Sequence, residues 1–254
     1  MSGGLKLNLK QVCRISSMSA QTICSWDKVV CGQLSYSDAR ANVNGKGKSV
    51  LQAYTGKKLV VQTPKLYVPF SVSEFKDDVT KATKYTVVCS LKGVDAGFRS
   101  FLENIDNMNV ETGATNNKDW FGDAKTSTPE IIADRYRKIL KEHPNGKYDA
   151  QFRVKLPFNS NGRFDGLVFD SAKQPCDISC IEPGCNVRML MELSNIYIAD
   201  KTFGQVLKAI QIQVFKPERI SSFAFEGDDE DEHMSQEEEE SDEEVSGEEG
   251  DMTP

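Results

Sequence analysis

The sequence predicts a mainly β protein, an antiparallel sheet or barrel with two or more helices inserted, followed by a disordered acidic tail. Three observations carry this. Strand-like segments with period-two alternation recur along the chain, most clearly Gln151 to Phe158 and the pair Val187–Ile198 and Gln205–Phe215. They join through short turns as hairpins, without the regular strand–helix alternation of a parallel sheet. From Glu226 to Pro254 there are sixteen Asp and Glu and not one Lys or Arg. A segment so charged and so poor in large apolar residues cannot bury enough surface to offset its ordering entropy. The organisation expected is therefore one core domain over residues 1–225 and a tail over 226–254.

The first forty residues carry weak signals. Gln21 to Val30 mixes Ile23, Trp26, Val29 and Val30 with polar residues and reads as strand, with Trp26 in the core. Asn42 to Ser49 ends in Gly-Lys-Ser but has Asn42 where a phosphate loop needs glycine, so it reads as a flexible basic hairpin loop presenting Lys46 and Lys48. Lys58–Thr63 and Lys65–Phe70 are strands interrupted by Pro64, and Tyr85–Leu91 is another. Asp95 is placed to cap a helix whose Phe98, Phe101, Leu102, Ile105 and Met108 form one apolar stripe.

Asp119-Trp120-Phe121-Gly122 sets two large aromatics side by side in a polar stretch, either as a plug for the side of the domain or as a stacking surface. Ser127-Thr128-Pro129-Glu130 has the form of a capping box, which predicts a helix through Leu140 up to Pro144-Asn145-Gly146. In Gln151–Phe158 the even positions are apolar, while Arg153 and Lys155 share the other face. Asn159–Gly162 is a turn, with Arg163–Phe169 the expected hairpin partner. The Val187–Ile198 arm loses phase at Ser194-Asn195, which predicts a bulge. Short strands, hairpins and long helical connections together point to a partly open Greek-key barrel of the oligonucleotide-binding kind.

The chemistry narrows to binding. The chain has only two His, His143 in a turn and His233 in the tail, and its carboxylates show no metal-ligand spacing. Cys176, Cys180 and Cys185 lack a fourth zinc ligand nearby and read as a thiol loop, and seven Cys without an export signal predict free thiols. No catalytic residue, metal or cofactor is expected. Without the tail the balance is 31 basic against 22 acidic side chains, so an acidic protein contains a basic body. That body offers phosphates a sequence-independent attraction, and its Lys and Arg lie beside aromatics, as single strands require. The candidate phosphate contacts are Lys46, Lys48, Lys57, Lys58, Arg153, Lys155, Arg163, Arg188, Lys201 and Lys208, with Tyr54, Trp120, Phe121, Tyr197 and Phe203 as candidate stacking rings. The tail can compete with DNA for the same basic surface. An acidic-tailed interaction factor, such as a histone chaperone or virion scaffold protein, is the reading from another class.

Asp119–Gly122, the Ser127–Leu140 stretch with Tyr136, Tyr148–Leu156 and Leu193–Val214 together resemble the single-stranded DNA-binding proteins of nucleocytoplasmic large DNA viruses. Those are similar in turn to phage replication proteins that join an oligonucleotide-binding barrel to an acidic tail. The resemblance implies a protein that coats exposed strands of DNA, or RNA, in replication, recombination and repair. It further implies self-association on the strand and recruitment of replication proteins by the tail. The absence of an apolar run of signal-peptide or spanning length predicts an intracellular protein with no membrane partner, and the resemblance implies the host nucleus, a cytoplasmic viral replication site or the virion as its place. Where phage and bacterial relatives commonly end the tail in an aromatic residue, this chain reads Asp251-Met252-Thr253-Pro254.

Overall fold

A computed structural model describes residues 21–43, 46–76, 83–123 and 127–217. The acidic tail lies outside the described residues, together with Cys13, His233 and the serines Ser235, Ser241 and Ser246, each of which has an acidic residue three positions on, the pattern acid-directed Ser kinases prefer.

Strands dominate the chain order. Before the helices come β1 (Gln21–Ser25), β2 (Leu34–Tyr36), β3 (Arg40–Ala41), β4 (Lys48–Tyr54), β5 (Lys58–Gln62), β6 (Leu66–Tyr67), β7 (Ser73–Lys76) and β8 (Thr83–Ser90). Then follow α1 (Ala96–Thr115), α2 (Asn117–Phe121) and α3 (Pro129–Arg135). The chain continues through β9 (Tyr136–Arg137), β10 (Gln151–Leu156), β11 (Leu167–Phe169), β12 (Asn186–Ala199) and β13 (Thr202–Phe215).

Five strands close on themselves. β6 pairs with β8, β8 with β10, β10 with β13, β13 with β12, and β12 returns to β6. Every contact is antiparallel except β10 with β13, where Lys155 faces Lys208 across a parallel pairing. This is a barrel of the oligonucleotide-binding kind that the sequence predicts, closed here through single-residue pairings of β6 with β8 and of β10 with β13. β5 extends the β6 line along β12, with Gln62, Val61 and Val60 against Leu190, Met191 and Glu192. Pro64 separates the two pieces, and Thr63 patches the gap: its N–H donates to the Met189 carbonyl, and its Oγ1 accepts from the Met189 N–H, both at 2.9 Å.

Alternation sorts the side chains as predicted. In β10, Phe152, Val154 and Leu156 are buried, and Arg153 and Lys155 face out. The β12–β13 register shifts between Leu193 and Asn195, where the phase slip predicts a bulge, and again between Leu190 and Met191. The α1 stripe packs Phe98, Phe101, Leu102 and Ile105 into the barrel core, and the Asp95 carboxylate accepts from the Gly97 N–H at 2.6 Å. Trp26 meets Phe98 edge-on at 5.6 Å but is only half-buried.

A second, smaller core lies between β4, β12, β13 and the short helices. Its centre is Phe203, flanked by Trp120, Phe121 and Tyr136 with ring centroids at 5.9, 5.1 and 4.9 Å. Gly113 lets α1 approach this cluster, since a Cβ there would meet the Phe203 ring at 3.1 Å. The basic loop before β4 folds back on β12: Gly47 has φ +72°, and a Cβ on it would lie 2.3 Å from the Ile198 carbonyl oxygen.

Two expectations are corrected. The helix predicted from Ser127 to Leu140 spans only Pro129–Arg135, and its capping box does not form. Ser127 donates to Asp123 instead, which also takes Arg135 at 2.6 Å, and Tyr136–Arg137 leave the helix to pair with Phe203–Gly204. A strand partner thus outweighs helical periodicity. The predicted hairpin between Gln151–Phe158 and Arg163–Phe169 survives only at its tip, where the Asp165 N–H donates to the Pro157 carbonyl at 2.7 Å. Past Gly166 the chain crosses to β13, and β11 runs parallel beside Gln211–Gln213.

Candidate nucleic-acid interface

The barrel's outer face carries the charge. In β8, Val87 and Cys89 point into the core, while Lys84 and Thr86 face out. Register then places Lys155 opposite Thr86 on one side and Lys208 on the other, with Arg153 two residues along β10. Three strands so present Lys84, Arg153, Lys155 and Lys208 on one surface.

Two clefts meet there, both lined by Thr86, Arg153 and Lys155. The first, about 610 Å³, runs over Tyr197 and Gln205 to the segment that brings in Arg137, Lys138 and Lys141. The second, about 530 Å³, runs over Lys208 and Lys84 to the β7 hairpin with Phe75, and to Tyr85 and Phe158 at the barrel end. Tyr85 and Phe158 stack on each other at 3.9 Å and cap the core. The carboxylate on the lining, Glu74, sits 3.6 Å from Lys76. The result is one groove with cations along its whole length. Burial, and then Lys208 and Lys84, hold the Lys155 ammonium below its usual pKa, so an anion arriving here would relieve a like-charge cluster. Burial pushes the Tyr197 hydroxyl up, with Arg137 opposing.

A buried polar network holds the first cleft's wall. Asp106 of α1 accepts from the Tyr136 hydroxyl at 2.7 Å and from the Ile139 N–H at 3.1 Å. Asn109, with no exposed surface, donates to the Tyr136 oxygen and to Gln205, and accepts from Tyr36 and Gln52. The chain carrying Arg137, Lys138 and Lys141 is therefore fastened to the helix and to β13. Burial, partly offset by the Tyr136 and Ile139 hydrogen bonds, raises the Asp106 pKa to about 6. A folded-state pKa above the unfolded value makes ionisation cost stability, so Asp106's favourable share is full at low pH and is lost as pH rises through about 6. The unfolding free energy of D106N minus that of the wild type should thus rise by about 2 kcal/mol between pH 4 and pH 6.5 and level off above about pH 7. Denaturant unfolding of both proteins at several pH values checks this, and a pH-independent difference would contradict it.

Of the residues singled out from sequence, the groove brings together Arg153, Lys155, Tyr197 and Lys208. Three proposed stacking rings are corrected. Trp120 and Phe203 are 2% and 0% exposed, so the aromatic pair's first ring is the plug. Tyr54 is buried too, its hydroxyl accepting from the Val30 N–H at 3.3 Å. Phe121 has its faces taken by Phe203, Trp120 and the Arg135 guanidinium, 5.3 Å from its centroid. Lys48 donates to the Asp119 carbonyl, and Lys46 is exposed on the same loop. Lys57 is exposed at the β4–β5 turn, and Lys58 lies 3.8 Å from the buried Glu192. Arg188 leans on Phe215, Arg163 sits at the tip beyond β10, and Lys201 is exposed in the β12–β13 turn. None of these lines either cleft.

Sequence reasoning missed Phe75, Lys84, Arg137, Lys138 and Lys141. Lys84 was within reach, one residue before a recognised strand and in phase with Thr86. Arg137 and Lys138 were hidden inside the predicted helix. In the thiol loop, burial and then Cys180 push the Cys176 thiol up to about 12, which favours its protonated form at neutral pH. Among the described residues no group of three or more His, Cys, Asp or Glu is placed to hold a metal ion, and no helix is long and apolar enough to cross a membrane.

Comparison with known proteins adds relatives but no assigned activity. Over 167 residues, or 63% of this chain, it is 22% identical to "Uncharacterized protein L291" of Acanthamoeba polyphaga mimivirus, and it spans only 27% of that protein's length. Among solved structures it is similar to the single-stranded DNA-binding protein from bacteriophage Enc34 in complex with ssDNA, at 12% identity and a TM-score of 0.41, over 74% of this chain and 98% of that one. A C-terminal truncation of the same phage protein gives 11% identity and a TM-score of 0.38, over 74% and 97%. Likeness at that level transfers no residue roles. A family model matches residues 77–227, more than half of the sequence and all of the groove except the β7 strand, and the chain thus belongs to the family of unknown function DUF5871.

Proposed function

We propose that this chain is a non-enzymatic single-stranded DNA-binding protein. The observation that carries the reading is the continuous groove over β8, β10 and β13, in which Lys84, Arg137, Lys138, Lys141, Arg153, Lys155 and Lys208 face one lining carboxylate, Glu74, among the described residues. Such a row of cations follows a phosphate backbone without reading sequence, because each neutralised phosphate releases condensed counterions. If all seven engage, affinity falls with salt at a log–log slope of about −5, using roughly 0.7 per phosphate on a single strand. Fluorescence titration with poly-dT at two salt concentrations tests this. Absence of binding at low salt, or binding indifferent to salt, refutes it. Poly-U in the same titration separates DNA from RNA preference.

We extend this reading to a finer role that the same surface supports. Coating exposed strands in viral DNA replication, recombination and repair, as several copies side by side, requires sequence-independent contacts of this kind. The tail's sixteen carboxylates are complementary to the groove, so they compete with DNA and, once displaced, are free to recruit replication proteins. Deleting residues 226–254 should tighten poly-dT binding several-fold at low salt and much less at high salt; unchanged or weaker binding argues against competition. The histone-chaperone or virion-scaffold reading predicts instead that the tail-deleted body binds basic proteins and no DNA.

A further inference from the structure

The second cleft contains an arrangement that the charge of the groove alone does not explain. β7 pairs on β8, and all four of its residues are exposed. Phe75 among them is 62% exposed, although the chain has a deep core in which to bury a ring. A lone exposed Phe is ordinary on a protein surface. This one is distinguished by its register. It stands directly opposite Lys84, on the face that continues through Thr86 to Lys155 and Lys208. The alternate positions, Glu74 and its partner Tyr85, point to the opposite side of the strand pair, where they border the cleft's edge. An apolar ring open to solvent thus borders a point where ammonium groups from three adjacent strands converge. Burial first, and then Lys208 and Lys84, hold the Lys155 ammonium below its usual pKa, in keeping with like charges gathered at this point.

An apolar face beside concentrated positive charge matches a nucleotide, which carries a stackable base and an anionic phosphate one sugar apart. An acidic polypeptide such as the tail would match the lysines but, being poor in large apolar residues, would leave the ring unused. We propose that Phe75, Lys84, Lys155 and Lys208 form one nucleotide subsite, with the base stacked on Phe75 and the phosphate held by the lysines. The subsite rests on the single-strand reading above and gives it selectivity. The Arg137–Lys141 end accepts any polyanion, whereas Phe75 requires an unpaired base.

The test uses the full chain and two strands of equal length, oligo-dT and its abasic deoxyribose-phosphate counterpart. F75A should weaken oligo-dT binding about tenfold and leave abasic binding unchanged. The double variant K84Q/K208Q should weaken both. In F75W the new indole is exposed, whereas Trp120 is buried and Trp26 half-buried, so oligo-dT should quench F75W beyond the wild-type signal and the abasic strand should not. Since Phe75 is on the surface, circular dichroism should show each variant folded. Wild-type affinity of F75A for oligo-dT overturns the subsite while leaving the groove reading intact. Loss of self-association in F75A with unchanged DNA binding overturns it too, and assigns Phe75 to contact with a second copy. Failure of the wild type to bind either strand removes the reading on which the subsite stands.

Discussion

Replacing Arg153 and Lys155 together by glutamate should lower the affinity for oligo-dT by about a hundredfold at moderate salt. Both face outward from β10, at the place where the two clefts join, so the double variant breaks the groove in the middle. Two lost phosphate contacts account for roughly a tenfold effect and reduce the log–log salt slope by about 1.4; the two introduced negative charges supply the rest by repulsion. The inward residues Phe152, Val154 and Leu156 are untouched, so thermal stability should hold. R188E serves as the control. It changes charge on β12, where the guanidinium rests near Phe215 outside both clefts, and should alter affinity little. Equal effects of the two variants would mean that binding follows net charge and not this surface.

Phe203→Ala should cost about 3–5 kcal/mol of stability, the largest single loss expected in the chain. The ring is fully buried at the centre of the second core, touching Trp120, Phe121 and Tyr136, with Gly113 cut back to admit it. Alanine leaves a cavity that β9, α2 and β13 cannot collapse to fill, because β9 is hydrogen-bonded to β13 and the Tyr136 hydroxyl is fixed between Asp106 and Asn109. Urea unfolding measures the loss. Oligo-dT affinity per folded molecule should remain close to wild type, whereas a ring acting as a stacking platform would lose affinity at constant stability.

The contrast between these two sites shows what a single sequence makes legible. The outward placement of Arg153 and Lys155 was legible because a clean two-residue alternation assigns each β10 side chain to a face, and the burial of Phe152 and Val154 follows the same rule. Phe203 and Trp120 were misassigned because a ring beside a lysine or in a polar stretch looks the same whether it faces water or a second core. Only the meeting of α1, α2, β9 and β13, distant in sequence, decides. The bulge near Ser194 was readable since a phase slip is local. The end of α3 was not, because β9 exists only through its pairing with Phe203–Gly204, some 67 residues further on in each pair. The barrel class was legible in short alternating strands, but the parallel closure of β10 on β13 leaves no local trace.

That closure bears on when the groove comes into being during folding. Its cations enter from β8, from the Arg137–Lys141 segment, from β10 and from β13, and the loop from β8 to β10 contains all three helices. Loop closures of that length are entropically slow steps, and a chain that has folded only as far as β10 presents part of the charge on an open sheet edge. The complete groove is a property of the native state alone. Its ligand consequently acts as a selective stabiliser, adding about 2.7 kcal/mol when present at a hundredfold excess over its dissociation constant, and raises the unfolding temperature without any contact to the core.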